Sequence, residues 1–67
     1  MSLVESPELP PLATVRDVSA FTKVSLPTLA RYRADGTGPR FIRIGRSVRY
    51  RREDVLAWLD SLASGEA

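Results

Sequence analysis

The spacing of the apolar residues changes across Asp35-Gly36-Thr37-Gly38-Pro39, and that change limits what this chain can become. Before it, Val15, Val18 and Phe21, then Leu29 and Tyr32, recur at three-residue steps, the spacing of one helix face. After it, Ile42 and Ile44 alternate with Arg43, and Val48 and Tyr50 alternate with Arg49 and Arg51, the two-residue period of a strand. From Arg52 the helical period returns in Val55, Trp58, Leu59 and Leu62. The implied order is two helices, a β-hairpin and a third helix, a small α+β architecture. A chain of 67 residues makes one domain, and folding at this size hides only about 60% of the surface of the unfolded chain.

Local signals place the boundaries. Thr14 can cap the first helix, and Asp17 three residues on completes a capping-box pattern. The first helix ends near Thr22. Ser25 is a good cap for the second, with Pro27 in the first turn, where a missing N–H does little harm, and Gly36 as the stop. Leu29 and Tyr32 should face the core, with Val24 and Leu26 nearby. Pro27, Thr28, Ala30, Arg31 and Ala34 lie away from Leu29 on a wheel of 100° per residue. Only Thr22 to Val24 separate the two helices, which makes a helix-turn-helix connection. In the hairpin, a two-residue turn at Gly45-Arg46 would set Ile42 opposite Arg49 and mix apolar with charged residues on one face. A three-residue loop sets Ile44 opposite Val48, Ile42 opposite Tyr50 and Arg43 opposite Arg49. Segregation of the faces favours the longer loop, although such loops usually end in glycine and this one begins with it. Residues 1–11, acidic and Pro-rich, read as a flexible lead-in. The domain is expected over 12–63, with 64–67 frayed.

Charge is strongly segregated. Glu5, Glu8 and Asp17 against Arg16 give residues 1–22 a net −2. Lys23 and eight arginines against Asp35 give residues 23–52 a net +8, and Glu53, Asp54, Asp60 and Glu66 give residues 53–67 a net −4. A basic block between acidic flanks implies a polyanionic partner. There is no Cys or His, which excludes disulfides and thiolate or imidazole metal sites. Asp17, Glu53 and Asp54 are explained by helix starts and Asp35 by a turn, and the glycines form no phosphate cradle. Neither an enzyme nor a cofactor nor a small-molecule substrate is expected. No apolar run approaches the roughly 18 residues of a membrane span. The N-terminus lacks a basic region followed by an apolar one. A soluble bacterial cytoplasmic protein is expected, at the nucleoid or in a phage-infected cell, with no membrane partner.

The segment TLARYRADGTGPRFIRIGRSVRYRREDVLAWL, residues 28–59, carries a family resemblance. Its marks are Thr28-Leu29 leading to Tyr32 and Gly36, then Gly38-Pro39, Ile44-Gly45-Arg46, Val48-Arg49-Tyr50, Asp54-Val55 and Ala57-Trp58-Leu59. Over about residues 12–60 the chain resembles the small MerR-type winged helix-turn-helix excisionases, the recombination directionality factors of phages and integrating elements. Two departures stand out: the group often carries Gly in the turn that is Thr22-Lys23 here, and many relatives have a polar residue at Pro27.

The resemblance implies a winged helix-turn-helix that binds and bends attachment-site DNA, recruits an integrase, and works in several adjacent copies on double-stranded DNA. The second helix would enter the major groove through Pro27, Thr28 and Arg31. Arg31 could pair with guanine. Gly45 and Arg46 at the wing tip would reach the minor groove. Lys23, Ser25, Arg33, Arg40, Arg43, Ser47, Arg49 and Arg51 are phosphate candidates. Ser25 also reads as a cap and Arg33 as a core-edge residue. Tyr32, Tyr50 and Trp58 read as core. A small transcriptional regulator of the same fold is the alternative. MerR-type activators usually add a coiled coil, and the chain's end at Ala67 favours an architectural role. A protein-interaction adaptor or antitoxin is the third reading.

Overall fold

A computed structural model describes residues 8–64. Its first helix is started by the expected reciprocal cap. The Thr14 hydroxyl accepts from the Asp17 N–H at 3.0 Å, and the Asp17 carboxylate accepts from the Thr14 N–H at 2.9 Å. Helix α1 runs over Val15–Thr22 and buries Val18. Its end is closed by the Thr22 hydroxyl, which donates to the Val18 carbonyl at 2.7 Å and accepts from the Val24 N–H at 3.2 Å. Helix α2, Leu26–Asp35, is capped by Ser25, whose hydroxyl accepts from the Thr28 N–H. Gly36 ends it: its N–H donates to the Arg33 carbonyl and that of Thr37 to the Tyr32 carbonyl, a Schellman motif. Leu29 is the buried residue of α2, whereas Leu26, expected inside, is 40% exposed. Leu26 lies about 60° from Leu29 on the wheel, in the first turn, where the neighbouring elements do not cover it.

The hairpin differs from expectation. Strands β2, Ile42–Ile44, and β3, Ser47–Arg51, pair antiparallel with Ile42 opposite Arg49, Arg43 opposite Val48 and Ile44 opposite Ser47. The turn is therefore the two-residue Gly45-Arg46. Gly45 has φ +62, and Arg46 does not have positive φ. Positive φ at the first central residue alone is the type II′ pattern, which asks for Gly in that place. Turn chemistry outweighs the parity of apolar residues. Val48 and Tyr50 face inward as expected, but Ile42 and Ile44 share the outer face with Arg49, at 38% and 51% exposure. Arg43 is not opposite Arg49, so no repulsion between that pair needs relief.

A third strand was not expected. β1, Leu12–Ala13, pairs antiparallel with β3, Leu12 opposite Arg51 and Ala13 opposite Tyr50, and gives the sheet order β1-β3-β2. Leu9 is buried, its carbonyl accepts from the Arg52 guanidinium at 3.2 Å, and the Pro11 carbonyl accepts from the Arg52 N–H at 3.0 Å. Packing thus reaches back into the stretch expected to be a loose lead-in. Residues 1–7 of that stretch lie outside the described residues, as do 65–67 of the expected frayed end.

Helix α3, Arg52–Ala63, starts directly from β3 with Glu53 and Asp54 in its first turn, where carboxylates complement the helix dipole. Of its expected stripe, Val55 is buried, Trp58 and Leu59 are half-buried, and Leu62 is 55% exposed. Trp58 meets Tyr32 edge-on with ring centroids 5.9 Å apart, which joins α3 to α2. Buried Leu9, Ala13, Val18, Leu29, Tyr50 and Val55 form the core between the helices and the inner face of the sheet. The whole is a small α+β winged helix-turn-helix, with β2 and β3 as the wing.

Candidate nucleic-acid interface

The site is built from α2 outward. Ala30, Arg31, Ala34 and Pro27 are all exposed on the side of α2 turned from Leu29. Small neighbours leave Arg31 as the one cation of that helix face, with no obstacle to close approach by a partner. Thr28 is half-buried, and its hydroxyl is 2.9 Å from the Ser25 hydroxyl. Ser25 is occupied as the cap, while its exposed position at the helix start also presents it to solvent.

The connection into α2 passes through Lys23 at φ 67, ψ 17, a left-handed conformation. Its N–H donates to the Ser19 carbonyl at 2.7 Å, and its side chain is exposed. This is the position where the resemblance leads one to expect glycine.

The remaining arginines fall into different settings. Arg33 is half-buried, and its Nη1 donates to the buried Tyr50 hydroxyl at 2.9 Å, linking α2 to β3. Its guanidinium carbon lies 6.0 Å from the centre of the Phe41 ring, and that of Arg43 lies 5.7 Å from the same ring. Phe41 in turn packs against Tyr50, with centroids 6.3 Å apart. One aromatic pair thus gathers a cation of the second helix and a cation of the wing. Arg49, on the outer face, is half-buried and donates to its neighbour's carbonyl, Val48 O, at 2.8 Å. Arg40 follows buried Pro39 and is exposed, as are Gly45 and Arg46 at the wing tip, while Ser47 is half-buried.

Arg51 stands apart. Its Nε and Nη2 donate to the two carboxylate oxygens of Asp54 at 2.9 and 3.3 Å, and Glu53 lies 3.4 Å away. The hydrogen bond to Asp54, then the charges of Asp54 and Glu53, push its pKa above the ordinary arginine value. Its guanidinium is paired within the fold while its side chain stays exposed. Among the described residues both ion pairs belong to Arg51. The exposed cations Lys23, Arg31, Arg40, Arg43 and Arg46 have no carboxylate partner there.

Sequence reasoning placed Tyr50 inside but missed its hydroxyl as the partner of Arg33, and missed Phe41. The signal for Phe41 was present: with a two-residue turn it continues the inward series of Arg43 opposite Val48 and falls beside Tyr50.

The helix-turn-helix domain family matches residues 14–63, which takes in both helices of the motif, the wing and α3. The chain belongs to this family. The helix-turn-helix family includes excisionase-like DNA-binding proteins, and membership supports sequence-specific binding of double-stranded DNA. No curated protein and no solved structure matches the chain. Among the described residues of this helix-turn-helix protein, no helix is long and apolar enough to cross a membrane.

Proposed function

We propose that this helix-turn-helix protein is a MerR-type excisionase, which binds and bends attachment-site DNA in the bacterial cytoplasm and directs an integrase toward excision. The observation that carries its DNA-facing part is the joint at Phe41, where cations of α2 and of the wing lie against one ring. A duplex lying along that joint meets the exposed side of α2 in one groove and the wing in the next. Arg31 reads a guanine edge in the major groove, with Thr28 and Pro27 beside it. Arg46, carried by Gly45, enters the minor groove. Lys23, Ser25, Arg33, Arg40, Arg43, Ser47 and Arg49 hold phosphates; Arg51 instead serves the start of α3. One small domain covers few base pairs, so adjacent copies on repeated sites supply affinity and bending together.

The test has two stages. Footprinting across attachment regions, with an excision assay containing the integrase, should show protected repeats and a switch from integration to excision. Protection at a promoter, with no effect on excision, assigns the protein to transcriptional regulation instead. On any bound duplex, about five phosphate contacts give a slope of log K against log salt near −4.5. A flat salt titration overturns the interface itself.

A further inference from the structure

We infer that Arg33 and Arg43 form one phosphate clamp and that Tyr50 is its positioning residue. This deepens the DNA-binding reading above, on which it rests.

The starting observation is that a cation of α2 and a cation of the wing share one ring. Both guanidiniums sit within 6.0 Å of the centre of one ring, Phe41, and neither has a carboxylate partner among the described residues. The quadrupole of an aromatic face attracts each cation but does not neutralise it. A phosphate that both groups reach is held by charge-assisted hydrogen bonds from each.

The geometry of Arg33 says how the clamp is aimed. A guanidinium presents five N–H donors in a rigid planar fork. One of these is fixed by the Tyr50 hydroxyl at 2.9 Å. Tyr50 is itself 1% exposed and pinned in the sheet opposite Ala13. Arg33 is thereby held in place before any ligand arrives, and its remaining donors stay available. Arg43 reaches the same ring from β2, on the side of the hairpin that the type II′ register turns toward Val48. With Arg43 on the other face, as the longer loop would have it, no clamp could form. The ligand is a phosphodiester of the duplex backbone lying between the groove entered by α2 and the groove entered by the wing. Gripping it fixes the spacing of helix and wing on the DNA without reading sequence.

Salt titrations of binding to short mixed-sequence duplexes, followed by fluorescence anisotropy, test this with wild type, Tyr50→Phe, Arg33→Lys, Arg43→Ala and the double variant Tyr50→Phe/Arg43→Ala. Tyr50→Phe, whose side chain loses no atom that meets DNA, is expected to weaken binding several-fold on every duplex and to lower the magnitude of the salt slope by about 0.9, the share of one phosphate. Arg43→Ala does the same. The double variant loses less than the product of the two single effects, because both empty one site. Arg33→Lys keeps the charge but cannot hold the hydroxyl and a phosphate with one fork, and does not rescue binding.

The clamp is overturned if Tyr50→Phe, folded by its cooperative melt, binds with the wild-type slope, or if the single losses multiply. Should Tyr50→Phe fail to fold, Arg33→Lys with Arg43→Ala makes the same cycle, and full activity of Arg33→Lys overturns the clamp. Wild type that shows no salt slope on any duplex removes the DNA-binding reading itself, a result distinct from a slope that Tyr50→Phe leaves unchanged.

Discussion

At Lys23 a residue with a side chain holds a conformation suited to glycine, φ 67 at the end of α1. The left-handed region strains a β-carbon by roughly 1–2 kcal/mol, part of which glycine gives back through the entropy of the unfolded chain. Lys23→Gly is therefore expected to raise stability by about 0.5–1 kcal/mol in urea denaturation. If Lys23 holds a phosphate, the same variant lowers the magnitude of the salt slope of DNA binding by about 0.9. A gain in stability with no change in slope would leave Lys23 as a strained residue without a role on DNA. Gly38 is the opposite case. At φ +79, a β-carbon on it would fall 2.7 Å from Cβ of Tyr32, inside the contact distance of any two carbons. Tyr32 is braced by Trp58 and cannot move aside. Gly38→Ala should cost about 2 kcal/mol or more, read as a lowered urea midpoint.

Among the elements, the helices were legible in the sequence and the hairpin register was not. The reason is the range of the interactions that decide each. Thr14 with Asp17, Ser25 with Thr28, and Gly36 with the carbonyls of Tyr32 and Arg33 act within five residues of one another, and a cap announces itself in the residues that make it. The register turns on one dihedral, φ +62 at Gly45, and on a comparison of two effects that the sequence poses without resolving. Segregated faces favour a three-residue loop, whereas Gly in first place favours the type II′ turn. The turn prevails because both Ile42 and Ile44 can be left on the outer face: the core closes without them, on Val48, Tyr50 and Phe41. The observed register makes a prediction that the segregated one reverses. Ile44→Lys is expected to change stability by no more than about 0.5 kcal/mol, as for other exposed positions. Val48→Lys, on the inner face, should cost roughly 2 kcal/mol or more. Thermal melts of the two variants decide it, since the three-residue loop would make both substitutions costly.

At the scale of the whole molecule, the basic block was legible in the sequence, but the internal partners of its members were not. Sequence offers Arg33, Arg49 and Arg51 as phosphate candidates, with Arg33 also at the core edge, and gives Arg52 no role beyond the helix start. The fold assigns them to a tyrosine hydroxyl, a neighbouring carbonyl, the start of α3 and the carbonyl of Leu9. The partners of Arg33 and Arg52 lie 17 and 43 residues away, and no local pattern marks them. The same distance hides β1. A two-residue strand has no visible period, and the Pro-rich stretch before it resembles a tail, yet Ala13 is fully buried against the partner of β2. Leu9 follows Ala13 into the core and, with Pro11, ties residues 9–11 to Arg52. In so small a domain the core supplies only about 3–5 kcal/mol, so one buried leucine is a large share of the total. Leu9→Ala removes a side chain at 3% exposure and should cost about 2–3 kcal/mol, enough to lower the melting temperature sharply in circular dichroism. Binding to DNA should fall at 37 °C in proportion to the unfolded fraction and recover on cooling, because Leu9 touches none of the cations proposed to meet the duplex. A wild-type melt for Leu9→Ala would return residues 8–11 to the status of a tail.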